Sequence, residues 1–186
     1  MRLVALLSRA GRGGTRIAIL PGVRFDISHS FEPPPEEVGA VLLDEDYQRS
    51  LGDASSFLKA RELVSQDEHP DGRVRRRVRC VLGIDLGAAA RFIGDGEPAW
   101  IEEATWHPKD MRWKWTIVPE VAHELLNASG EIELHADGAG TERVIHGNVK
   151  VRVPIYGGKV ETVIVRGLEH AYDEEAERLA AWLGAA

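Results

Sequence analysis

Near the C-terminus the spacing of hydrophobic residues changes from strand-like to helix-like. In Val149–Val153, valines alternate with a lysine and an arginine, and this period of two puts the valines on one face of a strand and the cations on the other. Pro154 cannot donate to a sheet ladder, and the Gly157–Gly158 pair that follows allows a turn. The segment is therefore predicted to be a strand with one face in water.

From Val160 to Leu183 hydrophobic residues recur every three or four positions, the period of a helix face. The apolar face contains Val160, Val163, Ile164, Gly167, Leu168, Ala171, Leu179, Trp182 and Leu183. The opposite face carries Glu161, Arg166, Glu169, Asp173, Glu174, Glu177 and Arg178. A long amphipathic helix is predicted, and its apolar face needs a sheet to cover.

The chain before this helix predicts that sheet. Val23–Ser30 alternates apolar and polar residues and is the first predicted strand. A proline-rich stretch with Glu36 and Glu37 in the first turn then indicates two short helices, broken near Asp44. Leu86–Ile93 predicts a further short helix. Strand candidates follow the two helices: SSFLKARELVSQDE, RVRRRVRCVL, PAWIEEATWHP, MRWKWTIVP, VAHELLNASGEIELHA and TERVIHGNVKVRVP. Because they are closely spaced, without crossover helices, they predict an antiparallel meander in an α+β fold.

Composition narrows the class of protein. The chain has 186 residues, 44% hydrophobic and 28% charged, which is typical of a single globular domain. A formal net charge of -7 argues against general affinity for nucleic acid or anionic membrane. The lone cysteine, Cys80, excludes an internal disulfide and fits a reducing compartment, so a cytoplasmic protein is expected.

The first 22 residues are predicted to be an extension outside the domain formed by residues 23–186. The apolar run Leu3–Leu7 is shorter than the core of a secretory signal, and no uncharged apolar run is long enough to span a membrane. The extension is either partly disordered or adds an edge strand through Arg16–Leu20.

The order strand, two short helices, antiparallel meander and long helix resembles the START and birch-pollen-allergen-like (SRPBCC) superfamily. The stretches HSFEPPPEEVGAVLLDEDYQ, LGAAARFIGD followed by EEATW, and above all GNVKVRVPIYGGKVETVIV are similar to its domain-of-unknown-function family 2505. This resemblance covers residues 23–183. It implies a helix-grip fold, in which a curved antiparallel sheet wraps around the C-terminal helix and leaves a cavity for a hydrophobic small molecule or lipid. It implies no particular reaction.

If the helix grips the sheet, strand parity predicts which side chains line that cavity. The predicted ligand-binding residues are Val74, Arg76, Val78, Cys80, Trp113, Trp115, Ile117, Val149, Val151, Val153, Ile164, Leu168 and Tyr172. The alternative is that these side chains fill the interior completely.

The arginine-rich strand divides its charges between two faces. Arg73, Arg75, Arg77 and Arg79 are predicted to form a solvated outer stripe, paired across strands with residues such as Glu102 or Glu133. Arg76 shares the parity of the apolar residues, so its guanidinium needs a partner, either a ligand carboxylate or a pocket acid such as Glu103.

Other candidate chemistry is weak. His170 and Glu174 lie one helical turn apart, but two ligands do not make a zinc site. His107, His123, His135 and His146 fall in or beside strands, where any of them could act as an acid or base. Cys80 has no visible catalytic partners and is expected to pack as a small apolar residue. No cofactor and no catalytic residue is predicted.

Three functions remain open from the sequence. The first is a binding module for a hydrophobic small molecule or lipid, acting as a monomer or homodimer. The second is an enzyme of the polyketide cyclase or dehydratase type, with an ionisable group in the cavity. The third is an interaction protein with a filled cavity, whose contact surface is the arginine stripe or the N-terminal extension.

Overall fold

The computed structural model describes residues 22–52, 57–92 and 96–185. The predicted N-terminal extension, including its candidate edge strand, lies outside these ranges except for Gly22. Within them, seven strands form one antiparallel sheet in the order β1-β7-β6-β5-β4-β3-β2. The strands are β1 (Val23–Phe31), β2 (Leu58–Glu68), β3 (Val74–Leu82), β4 (Ala99–His107), β5 (Arg112–Pro119), β6 (Leu126–Asp137) and β7 (Gly140–Val151).

Three α-helices accompany the sheet in the described part of the chain. They are α1 (Pro35–Leu43), α2 (Glu45–Ser50) and α3 (Gly157–Ala185), and short 3-10 turns cover Gly87–Phe92 and Pro108–Asp110. Asp44 separates α1 from α2 because its carboxylate caps the second helix, accepting from the backbone N–H of Tyr47 at 2.7 Å. The predicted α+β helix-grip fold, with two short helices after the first strand, is confirmed.

Two glycines lie side by side on the neighbouring strands β7 and β6. Gly147 of β7 lies opposite Phe25 of β1, and Gly130 of β6 lies between Gly147 and Trp115 of β5. With no side chains on the two glycines, the rings of Phe25 and Trp115 reach across them and stack, with centroids 6.5 Å apart. Both rings are buried and belong to the hydrophobic core.

Helix α3 lies along the concave face and packs mainly against β1 and β7. Val165, Ala176 and Leu179 of this helix are buried in the hydrophobic core. The predicted apolar face was partly wrong, because Val163 and Trp182 are 46% and 37% exposed. The helix presents two apolar faces, one to the sheet and one to a cavity, and no single stripe describes both.

Glu161 also departs from the prediction of a charged, solvated face. Its side chain is 4% exposed. The carboxylate accepts from the backbone N–H of Val151 at 2.8 Å and lies 3.2 Å from Nζ of Lys150. It therefore joins the start of α3 to the end of β7, where β7 extends past its pairing with β1.

No helix within the described ranges is both long enough and apolar enough to cross a membrane.

One glycine of α3 is required by a close approach. The buried ring of Phe57, just before β2, packs directly on Gly167, and a Cβ there would overlap ring atoms Cδ2 and Cε2. Contact between Phe57 and α3 therefore depends on the missing side chain.

We expect Gly167→Ala to lower the free energy of unfolding by about 1–3 kcal/mol, because overpacking of a rigid ring outweighs the gain of up to about 1 kcal/mol in helix propensity. Urea unfolding measures the change. Gly158→Ala is the matched control, since nothing lies within 4 Å of its added methyl, and it should be neutral or stabilising. Equal stability of the two variants would contradict the close approach of Phe57.

Candidate ligand cavity

A cavity of about 220 Å³ lies between α3 and the concave face of the sheet. Its walls gather at one end of the sheet, where β3, β5 and β7 end and β4 and β6 begin. The apolar lining includes Leu51, Phe57, Leu58, Leu82, Ala99, Trp100, Trp115, Ile117, Leu125, Leu126, Ala128, Ile132, Val149, Val151, Val153, Val160, Ile164, Leu168 and Ala171. The space between helix and sheet is therefore open, with mainly hydrophobic walls.

The structure brings most of the predicted cavity residues together. Arg76, Cys80, Trp115, Ile117, Val149, Val151, Val153, Ile164, Leu168 and Tyr172 line the cavity. Val74, Val78 and Trp113 do not. Trp113 is 1% exposed and packs against Trp106 with ring centroids 5.5 Å apart. Strand parity predicted the face of these residues, but parity carries no information about how far along a strand the empty space extends. Binding by the lining residues remains a prediction.

Arg76 is the deepest charge in the cavity wall. Its side chain is buried, with Nη1 donating to the backbone carbonyl of Leu42 at 2.9 Å and the guanidinium 4.3 Å from the centre of the Trp113 ring. Burial, and then the nearby Arg61, lower the pKa of Arg76 to about 10. The group therefore keeps its positive charge at neutral pH.

The pocket acid is Glu102, and the prediction of Glu103 was wrong. Glu102 lies opposite Val78 of β3 and Ile117 of β5, so it shares their inward face and lines the cavity. Glu103 points outward, where it lies 3.5 Å from Arg75 and 3.2 Å from Arg77. A shift of one residue exchanges the two faces of a strand, which is why neighbouring glutamates take opposite roles.

The outer face carries the predicted arginine stripe, but with different partners from those predicted. Arg79 donates to both carboxylate oxygens of Glu120 at 2.7 Å, and Arg73 contacts Asp71. Glu133 lies beside Arg112 instead, at 3.5 Å. Since the arginines of this stripe are already paired with carboxylates, the outer face offers little free charge for another partner.

Two further groups in the cavity wall are neutral at physiological pH. Burial and the nearby Glu102 raise the pKa of the Cys80 thiol to about 12. Burial, with Glu102 and Glu175 in support, raises the pKa of Tyr172 well above its ordinary value. A thiol that stays protonated is a poor nucleophile, so Cys80 contributes contact area to the wall, as predicted for a small apolar residue.

The histidines lie away from the cavity. None of His107, His123, His135 and His146 is among its lining residues in the described chain, and His135 and His146 contact Glu133 and Asp26 near the surface. His170 pairs with Glu174 at 3.4 Å. Across the described ranges, no three His, Cys, Asp or Glu side chains are grouped closely enough to hold a metal ion.

Sequence reasoning missed several lining residues outside the predicted strand faces. Arg61 of β2 donates to the backbone carbonyl and side-chain oxygen of Gln48 at 2.8 and 2.7 Å, and Phe57 and Leu58 line the same side. The sequence of a strand at the edge of the sheet does not indicate whether that strand lies close to α3. The sequence could have predicted Trp100 and Glu102 as lining residues, because their strand parity matches that of the buried residues Trp106 and Ala104.

The curved sheet, the long terminal helix and the cavity between them define the class of helix-grip folds. Within it, the chain belongs to the family described as "Protein of unknown function (DUF2505)", whose model matches residues 26–183. The predicted resemblance is thus confirmed. No curated protein sequence matches the chain.

Solved structures agree on the fold. The protein TTHA0849 from Thermus thermophilus has a TM-score of 0.62 at 20% identity, covering 86% of this chain and 98% of that one. The Zhui aromatase/cyclase from Streptomyces sp. R1128 has a TM-score of 0.61 at 11% identity, covering 87% and 93%. A START superfamily protein from Mycobacterium smegmatis has a TM-score of 0.52 at 13% identity, covering 84% and 98%. At these identities the similarity concerns the fold alone.

The raised pKa of Cys80 predicts a loss of stability at alkaline pH. Its ordinary value is 9.0 and its folded value about 12, so between these pH values the unfolded chain releases a proton that the folded chain retains. Stability then falls as pH rises, by up to about 1.4 kcal/mol per pH unit for one proton. Urea unfolding from pH 8 to 10 should show a shallower decline in Cys80→Ala than in the wild type. Parallel pH curves for the two proteins would contradict the shift.

Proposed function

We propose that the protein binds a hydrophobic small molecule or lipid in the cavity between α3 and the sheet. The observation that carries this proposal is an open space of about 220 Å³ with mostly apolar walls. Burial of apolar ligand surface against such walls is favourable by roughly 25 cal/mol per Å². The ligand-binding domain is proposed to be residues 23–186, acting in the cytoplasm as a monomer or homodimer.

The size of the cavity limits the ligand. Pockets for drug-sized molecules are typically about 300–1,000 Å³, so a volume of about 220 Å³ favours a compact molecule, such as one with two fused rings, over a long lipid chain unless the walls move. The same open volume argues against an interaction protein with a filled core, because the predicted lining side chains leave space between them.

An enzyme of the polyketide cyclase or dehydratase type is the second candidate. Such catalysis needs an ionisable group inside the cavity, and Glu102 and Arg76 both line it. One structurally similar protein is the Zhui aromatase/cyclase, and the shared fold supports the same class of activity here. The geometry favours binding as the first proposal, since no histidine or activated nucleophile lines the cavity in the described part of the chain.

Filling part of the cavity should weaken ligand binding. Ile164 of α3 lines the cavity, and Ile164→Trp should reduce the affinity for the neutral fluorescent two-ring probe 1-naphthylamine by about tenfold or more, because the larger ring occupies the ligand's space. Fluorescence titration measures the dissociation constant.

Val163→Trp is the matched control. It adds the same side chain one residue away, at a position that is 46% exposed, and should leave probe affinity unchanged within about twofold, since the added ring faces solvent. Equal loss of affinity in both variants, or no saturable binding by the wild type, would rule out the cavity as the binding site.

A further inference from the structure

Glu102 stands out among the charged groups of the cavity. Its side chain forms no hydrogen bond or ion pair with another group in the described ranges. Every other carboxylate in the lining has a partner, with Glu174 beside His170 and Glu175 3.5 Å from Nη1 of Arg143. The oxygens of Glu102 are not among the buried unsatisfied atoms, so they are open to water in the cavity. A ligand that displaces this water leaves the carboxylate unsatisfied unless the ligand supplies a hydrogen-bond donor.

The sheet register places donors and acceptors around Glu102. On β3, Val78 lies directly opposite Glu102 and Arg76 is the diagonal neighbour on the same face, a spacing of about 7–8 Å between Cα atoms. Arg76 uses Nη1 for Leu42, and a guanidinium has five N–H groups. Tyr172 lies on the facing helix α3. Burial and then Glu102 raise the pKa of the Tyr172 hydroxyl, which is therefore neutral.

The charges of the lining select the kind of ligand head. Three arginines and three glutamates line the cavity, so its formal charges cancel, and a neutral ligand enters without a charge penalty. A carboxylate head would be repelled by Glu102 and cannot donate to it. An ammonium head would be repelled by Arg76 and cannot accept from Arg76 or Tyr172. A hydroxyl can donate and accept at once.

We propose that the ligand is a neutral, apolar molecule carrying a hydroxyl group, an alcohol or a phenol, which donates to Glu102 and accepts from Arg76 or Tyr172. This inference rests on the proposed function, because it specifies the ligand of the same cavity. It assigns Glu102 as the residue that distinguishes a hydroxylated ligand from its hydrocarbon counterpart.

The test uses four two-ring probes that differ only in the head group: 2-naphthol, 2-methylnaphthalene, 2-naphthoic acid and 2-naphthylmethylamine. Dissociation constants are measured by calorimetry at pH 7, where 2-naphthol is neutral. For the wild type, 2-naphthol should bind roughly tenfold or more tightly than 2-methylnaphthalene, the ratio given by one hydrogen bond to a charged group. The two ionised probes should bind more weakly than 2-naphthol.

Variants at two adjacent glutamates locate the effect. Glu102→Leu should bring the 2-naphthol preference close to one while leaving 2-methylnaphthalene affinity unchanged or improved. Glu103→Leu is the matched control, since its side chain lies on the outer face beside Arg75 and Arg77, and it should keep the full preference. Circular dichroism and thermal unfolding verify that both variants are folded.

Each other outcome overturns the inference in a recognisable way. If 2-methylnaphthalene binds as tightly as 2-naphthol, and its binding is lost in Ile164→Trp, the hydroxyl proposal fails while the cavity proposal stands. Tightest binding of 2-naphthoic acid would assign Arg76 as a carboxylate anchor instead. Tightest binding of 2-naphthylmethylamine would make Glu102 an ion-pair partner. If no probe binds, both the hydroxyl proposal and the cavity proposal fail.

Discussion

The structure depends on one mismatch of dimensions: the concave face of the sheet is wider than the helix that covers it. An α-helix with its side chains is about 10–12 Å across, whereas seven strands spaced about 4.8 Å apart span roughly 30 Å. Helix α3 packs mainly on β1 and β7, and stacked aromatic rings such as Phe25 and Trp115 fill part of the remaining width. The space left over is the cavity, at the end of the sheet where β3, β5 and β7 end and β4 and β6 begin.

Because the sheet has a wet face and an enclosed face, the two faces treat charge differently. On the outer face, arginines meet carboxylates in solvent, where such pairs contribute little to stability but keep the surface soluble. On the inner face, each charge needs a specific partner. Arg76 has a backbone carbonyl and a tryptophan ring, and Arg61 has the side chain and backbone of Gln48. Glu102 is the inner charge whose partner is left to the ligand under our proposal.

The same arrangement explains why fold similarity alone leaves the role of the protein open. The helix-grip architecture creates a cavity through its dimensions, and function then depends on the few polar groups in the wall. A neutral thiol and a neutral phenol, Cys80 and Tyr172, supply contact and hydrogen bonding without a ready nucleophile. Glu102 is therefore the residue on which the choice between binding and catalysis depends most directly.

The sequence alone determined the order of the elements, the strand and helix periods, the break at Asp44 and the burial of Arg76. Each of these follows from the pattern of residues that are close together in the chain. Tertiary structure decided the rest. It placed Glu102 inward and Glu103 outward through the pairing with β3 and β5. It buried Glu161, because the end of β7 supplies a backbone N–H and a lysine to its carboxylate, and it left Val163 exposed. It also left Val74, Val78 and Trp113 outside the empty space, since the extent of a cavity is set by side chains that are distant in sequence.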